Sequence, residues 1–331
     1  MTNKATREIK LGLIGLGNWG TRLSKAVEKV SGLTLGACYA RTEEHRKVFA
    51  KAHNCRAATS IDTLVTDPTI DGIIIATPHS THVDLVMQVA SLGKHIMVEK
   101  PLALSQADAK KCVAAARAAG VYLQVAHYRR RLTATRKAKE WVNSGKIGRI
   151  HSIEAVFNRP LGPDPNRLWR DKEIEAPAGA MTALGIHMLD NLLYLGGPIA
   201  RLACLSSVLD PATPLDDITS VLAEFQSGAH GSIMTSLRLP FFVTTAVHGD
   251  KASAWSEGDG SRFFSQVVGM AEREEHPVDV VDGVTENLSA FATSIRLNRE
   301  PETNGEQAIT VITALDAIQK SAKKGGVFVT L

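Results

Sequence analysis

Gly15-Leu16-Gly17-Asn18-Trp19-Gly20 follows directly on an apolar run, Ile9 to Ile14, and opens an amphipathic one. In the latter, Leu23, Ala26, Val27 and Val30 recur at helical spacing. A strand that turns on glycines into a helix is the start of a strand-helix-strand unit. Three glycines at that spacing have separable physical uses. Gly15 makes the tight turn, Gly17 lets a ligand approach the backbone, and Gly20 allows the helix to lie close on the strand. The helix N-terminus offers free N–H groups and the positive end of its dipole to an anion such as a pyrophosphate. The context therefore reads as a dinucleotide site, with Asn18 and Trp19 inside the loop.

The alternation continues. Leu33 to Tyr39 is predicted as the second strand and Glu43 to Ala52 as the second helix. Ile70 to Ala76 carries Ile73-Ile74-Ile75, apolar on both faces as a buried parallel strand requires. A helix is expected from Thr81, with Asp84 as a capping-box partner and Gly93 as its stop. His95 to Val98, a helix capped by Ser105 and Asp108, and Val121 to Val125 complete the series. Such alternation specifies a parallel sheet covered on both faces. Beyond it the pattern changes to consecutive strands: Ile150 to Phe157, Arg201 to Val208, Ile218 to Phe225, His230 to Leu237, Val243 to Gly249 and Arg262 to Val268. Gln226-Ser227-Gly228 reads as a hairpin loop. Helices near Leu184 to Leu195, Glu286 to Asn298 and Gln307 to Lys323 would cover one face of an antiparallel sheet. The expected fold class is α/β, with a Rossmann domain over 1–127 and a second α/β domain over 128–331 whose large sheet is mostly antiparallel and open. At 331 residues, two domains match a prior of about 150 residues each.

Several classes are disfavoured. The net charge of +4 is too small to argue for nucleic acid. No apolar run approaches the roughly 18 residues of a membrane helix, and the first residues carry no apolar signal core, so a cytoplasmic address is expected. The four cysteines form no CxxC pair, which disfavours a zinc cluster or a disulfide framework. The run Arg129-Arg130-Arg131, with Arg136, Lys137 and Lys139, reads as a solvated helix face or as an anion site.

The end of the second strand bears on which dinucleotide is bound. A carboxylate there usually bonds the ribose 2′-hydroxyl of NAD. This chain has Cys38-Tyr39-Ala40-Arg41-Thr42 instead. Arg41 could grip a 2′-phosphate with Thr42 donating a hydrogen bond, or it could be a surface residue that begins a helix. The first reading favours NADP(H), with NAD(H) kept as an alternative.

The glycine fingerprint, Thr77-Pro78-His79-Ser80-Thr81-His82, Glu99-Lys100-Pro101 and Gly185-Ile186-His187 occur in that order. Over essentially the whole chain this resembles the Gfo/Idh/MocA oxidoreductases. The resemblance implies a Rossmann domain followed by an open-sheet α/β domain, hydride transfer between a nicotinamide and a sugar, inositol or related polyol, and homodimers or homotetramers built through that sheet. It implies cofactor contacts from Thr77, Pro78, His79 and His82, with Glu99 on the nicotinamide side. It makes Lys100 the group that bonds the reacting oxygen and contacts cofactor and substrate. Pro101 would fix the backbone there, with a cis bond open to it. His187 becomes a substrate-binding or proton-transfer residue, with Asp190, Arg129 and Arg170 as further substrate contacts.

Physically, carbinol oxidation needs a held nicotinamide and a group that takes or shares the hydroxyl proton. On a helix, His187, Asp190, Asn191 and Tyr194 form one polar stripe. One departure stands out. Many members of the family carry Asp four residues before this histidine, where this chain has Ala183; Thr182 lies off the stripe, and Asp190 could orient His187 from the other side. The departure keeps two further readings open: a dinucleotide-binding regulator without turnover, and a glycosidase that oxidises transiently with NAD. His187 with Asp190 lacks a third ligand for a metal.

Overall fold

The computed structural model describes residues 7–161, 169–210 and 215–331. Two compact units result. One holds the chain up to His127 together with Val284–Ile309; the other holds Tyr128–Gly283 and Thr310–Leu331.

The first unit is built on strands β1 (Ile9–Ile14), β2 (Leu33–Tyr39), β3 (Arg56–Ala57), β4 (Gly72–Ile75), β5 (His95–Val98) and β6 (Leu123–Val125). They pair in parallel in the order β3-β2-β1-β4-β5-β6. The connecting helices are α1 (Asn18–Val27), α2 (Glu43–Ala52), α3 (Ile61–Val65), α4 (His82–Ser91) and α5 (Gln106–Ala118). Every residue of β4 is buried, as a strand covered on both faces must be. The strand order reverses between β1 and β4, and at such a switch point open α/β sheets bind ligands beyond the carboxyl ends of their strands.

Local chemistry explains most boundaries. Ser105 accepts a hydrogen bond from the Asp108 N–H at 3.2 Å and starts α5 as the sequence predicts. Ser60 and Thr63 form a capping box at α3, an element absent from the sequence reading. The expected cap at Thr81 does not form. Its hydroxyl donates to the Pro78 carbonyl at 2.7 Å and meets the Thr77 hydroxyl at 2.7 Å. A hydroxyl engaged backwards into the preceding loop cannot also cap the helix ahead of it.

Helix α8 (Gly283–Leu297) departs from expectation in its partner. It packs on the parallel sheet, where the Gln124 amide of β6 donates to the Asn287 carbonyl at 2.9 Å and the Phe291 ring lies next to Gly72. An amphipathic helix carries no record of which apolar surface it will cover.

The second unit holds a nine-stranded sheet. Its strands are β7 (Ile150–Asn158), β8 (Ile199–Ser207), β9 (Ile218–Phe225), β10 (His230–Ser236), β11 (Phe242–Gly249), β12 (Ala252–Glu257), β13 (Arg262–Val267), β14 (Glu274–His276) and β15 (Val329–Thr330). The order is β14-β13-β12-β11-β7-β10-β9-β8-β15, and only the β7–β10 pair is parallel. Helices α6 (Thr133–Asn143), α7 (Ile186–Gly196) and most of α9 (Gly305–Lys323) belong with it. Alternate residues Ile153, Ala155 and Phe157 of β7 are buried toward the helices. On the other face Leu205, Leu222 and Phe242 stay exposed. This is the mixed α/β architecture with a mostly antiparallel second sheet that the sequence predicts.

Candidate functional site

The glycine loop leaves β1 at Gly15, whose φ of +97° is in the left-handed region. A Cβ at Gly15 would run into the Ala76 carbonyl, and one at Gly20 would run into the Gly15 carbonyl. Both positions therefore require glycine for close backbone approach. Gly17 differs: a Cβ there would meet nothing within 4 Å. It caps α1 with no side-chain hydrogen bond, and the first turn of α1 holds no acidic residue. Open space above a helix N-terminus with no competing carboxylate fits the pyrophosphate of a dinucleotide.

At the end of β2, Arg41 and Thr42 are exposed, and Thr42 makes no side-chain cap to α2. Arg46 organises the turn that presents them. Its guanidinium donates to the Ala40 carbonyl at 2.8 Å and the Arg41 carbonyl at 3.2 Å, and lies 5.3 Å from the Tyr39 ring centre. Sequence reasoning missed Arg46. Its only trace is a basic residue in the first turn of a helix, where no pattern asks for one.

The ends of β4 and β5 are joined through His82. Fully buried, its ring lies 3.0 Å from the Thr77 carbonyl through Nε2 and 2.8 Å from the Pro101 carbonyl through Nδ1. Both partners are acceptors, so the ring bonds both only when doubly protonated. The His79 ring is 5.7 Å from it. Glu99 and Lys100 follow β5, at 7% and 8% exposure, and the Lys100–Pro101 bond is cis. An ammonium buried to that degree at the carboxyl end of a parallel strand is costly to desolvate unless it serves a ligand or a counter-charge. This geometry brings Gly15, Gly17, Gly20, Thr77, Pro78, His82, Glu99 and Lys100 to one end of the first sheet.

In the second unit the polar stripe of α7 is buried. His187 is 3% exposed, with the Tyr128 ring edge-on at 5.3 Å and the Phe157 ring at 6.2 Å. The Arg129 guanidinium lies 4.1 Å from the Phe157 centre and pairs with Asp259 of the β12–β13 turn. Asp190 is bonded bidentately by Arg130, Nε to Oδ2 at 2.7 Å and Nη2 to Oδ1 at 2.6 Å. Each of its oxygens thus accepts from the guanidinium. Asn191 donates to the Thr245 hydroxyl at 3.0 Å.

Residues 181–185 form a π-helical turn directly before α7. Single π turns inside helices are frequent at functional sites, and this one contains Ala183. The Thr182 hydroxyl is turned away, accepting from the Ala178 N–H at 3.1 Å. Arg170 is half-buried against its neighbour Trp169, 5.0 Å from the ring centre. The preceding residues 162–168 lie outside the described ones.

The profile described as "Oxidoreductase family, NAD-binding Rossmann fold" (Gfo/Idh/MocA) matches residues 9–127, and that of the Gfo/Idh/MocA C-terminal domain matches residues 135–255. The 1,5-anhydro-D-fructose reductase of Ensifer adhaerens is 27% identical over 276 residues, 82% of this chain and 83% of its own. The trans-1,2-dihydrobenzene-1,2-diol dehydrogenase of Mus musculus is 28% identical over 253 residues, 74% and 72%. Among solved structures, a putative NADPH-dependent oxidoreductase from Desulfitobacterium hafniense superposes with a TM-score of 0.91 at 28% identity, covering 98% of both chains. With both domains matched in order around the residues described above, the chain belongs to the Gfo/Idh/MocA oxidoreductase family.

Proposed function

We propose that this NAD(P)-dependent oxidoreductase prefers NADP(H) and acts on a carbinol carbon of a sugar, inositol or related polyol. The observation that carries the reading is the buried Lys100 at the end of β5, on the same sheet end as the glycine loop. Bound dinucleotide supplies the hydride carrier. Gly15, Gly17, Asn18, Trp19 and Gly20 hold its pyrophosphate, Arg41 and Thr42 its adenosine ribose, and Thr77, Pro78, His79, His82 and Glu99 the remainder. Lys100 donates to the reacting oxygen and lowers the energy of the alkoxide. His187 positions the substrate or moves its proton. Arg129, Arg170 and Asp190 complete the polyol site, with Asp190 acting through the Arg130 guanidinium it fixes. The relatives bear the names of oxidoreductases, which favours turnover over a regulator or a glycosidase. The exposed apolar face of the second sheet supports a homodimer or homotetramer, and the protein works in the cytoplasm.

Two measurements test this. Binding of NADPH and NADH, followed by nicotinamide fluorescence, is expected to be tighter for NADPH. Hydrogen bonds to a charged group contribute about 1.5–3 kcal/mol. Arg41→Ala is therefore expected to weaken NADPH roughly tenfold to a hundredfold and to leave NADH unchanged. A wild-type preference for NADH overturns the assignment. For assembly, light scattering on the eluting protein is expected to give twice or four times the monomer mass, and Leu222→Glu is expected to shift it toward the monomer. A wild type that elutes as a monomer rejects the interface.

A further inference from the structure

His82, the first residue of α4, is fully buried between two backbone carbonyls. Nε2 is 3.0 Å from the Thr77 carbonyl and Nδ1 is 2.8 Å from the Pro101 carbonyl. The two carbonyls follow the ends of neighbouring strands. β4 and β5 pair as far as Ile75 and Val98, and the Glu99 N–H then bonds the Ile75 carbonyl at 2.9 Å. Past that bond the His82 ring carries the connection on.

A carbonyl oxygen only accepts, so each contact is a hydrogen bond only where the facing ring nitrogen carries a proton. Neutral imidazole has one such nitrogen and would set the lone pair of the other against a buried carbonyl. The imidazolium donates to both, and two charge-assisted bonds offset its desolvation. Both ring nitrogens are then engaged by the protein, so His82 serves the dinucleotide through the backbone rather than by contact.

The two carbonyls belong to the segments that carry the proposed site. Thr77 is tied within its own loop by the Thr81 hydroxyl, 2.7 Å from the Thr77 hydroxyl and from the Pro78 carbonyl. On the other side Pro101 directly follows Lys100. The proline ring locks φ, so a held Pro101 carbonyl leaves little freedom between itself and the Lys100 backbone.

We infer that His82 is a positioning residue: as an imidazolium it holds the Thr77 and Pro101 carbonyls together and thereby sets where Lys100 stands relative to the cofactor. This rests on the reading of Lys100 as the donor to the reacting oxygen. Loss of one ring proton as pH rises frees one carbonyl, so turnover falls. The groups on the pyrophosphate and adenosine are untouched, so cofactor affinity changes little. The ionisable groups on the segments around the ring are His79, 5.7 Å away between ring centres, Glu99 and Lys100 after β5, Asp84 on α4 and Asp108 in the first turn of α5.

The test pairs heteronuclear NMR of the full chain, with isotope-labelled histidine, and single-turnover hydride transfer between NADP(H) and a panel of polyols and aldoses. At neutral pH one histidine, missing from the spectrum of His82→Gln, is expected to show both ring nitrogens protonated. Glutamine offers N–H groups from one nitrogen only and carries no charge. His82→Gln is therefore expected to bind NADPH within about twofold of wild type and to lose roughly tenfold to a hundredfold in turnover. It is also expected to lack the alkaline fall in turnover that wild type shows as the His82 ring deprotonates. If that variant does not fold, wild type decides alone: its alkaline fall must coincide with deprotonation of a buried imidazolium. A His82 ring with a bare nitrogen at neutral pH overturns the inference. So does a folded His82→Gln with wild-type turnover, or one whose affinity and turnover fall together, which would make His82 a cofactor contact. The spectrum reads the bridge without reference to Lys100. If Lys100→Ala kept its turnover, the Lys100 reading would fail, and the effect of His82 on turnover with it.

Discussion

Lys100→Ala is expected to lower turnover by roughly two to four orders of magnitude, with dinucleotide affinity close to wild type. Lys100 stands at the carboxyl end of β5, where the strand order and the glycine loop direct a ligand. The residue is 8% exposed. In such surroundings a donor aimed at a developing alkoxide acts with little screening and no reorganisation at the moment of reaction. Alanine removes that donor and leaves in place the groups proposed to hold the pyrophosphate and adenosine. The loss should fall on kcat, because the interaction strengthens as charge develops on oxygen. Lys100→Arg retains charge in a planar fork on a different stem, so it is expected to rescue little. The check pairs a nicotinamide-fluorescence titration with single-turnover hydride transfer across a panel of polyols and aldoses. Turnover equal to wild type in the alanine variant would falsify the role. Parallel loss of binding and turnover would instead make Lys100 a cofactor anchor.

Much of the first unit is legible in the sequence because its determinants are local. Ile9 to Ile14 followed by three spaced glycines names a strand, a turn and a helix without reference to anything distant. The buried β4 announces itself as Ile73-Ile74-Ile75. The residues that the sequence leaves unread act across long separations. Arg46 is selected by carbonyls around a turn, Asp259 by an arginine 130 residues earlier, and Asp190 by Arg130 across 60. No periodicity records such pairs. β3 is two residues long, too short for any alternation to mark. The π turn before His187 is invisible for a related reason: Met181-Thr182-Ala183-Leu184-Gly185 is as compatible with an α-helix, and packing decides between them.

Asp190→Ala is expected to destabilise the second unit by about 3–5 kcal/mol. The Arg130 and Asp190 side chains are 2% and 1% exposed and meet through two parallel hydrogen bonds. In wild type the carboxylate offsets the desolvation of the guanidinium. Truncation leaves a buried cation that no longer has its bidentate partner, and the Tyr194 ring 5.1 Å away offers only its π-face in exchange. The pair therefore differs from the exposed Arg262–Glu275 bridge, where a similar deletion is expected to cost under about 1 kcal/mol. Replacing both partners by apolar residues of like volume, as in Arg130→Met with Asp190→Leu, removes the stranded charge as well as the bond. That double variant is expected to recover most of the stability. Urea unfolding followed by far-UV circular dichroism measures all three proteins. Asp190 lies one helical turn beyond His187, and Arg130 follows Arg129, whose guanidinium lies over Phe157. The double variant, if it folds, separates two roles of the pair. Restored stability with turnover still depressed means that the ion pair fixes the His187 and Arg129 side chains for chemistry. Restoration of both means that Arg130 and Asp190 serve only the fold.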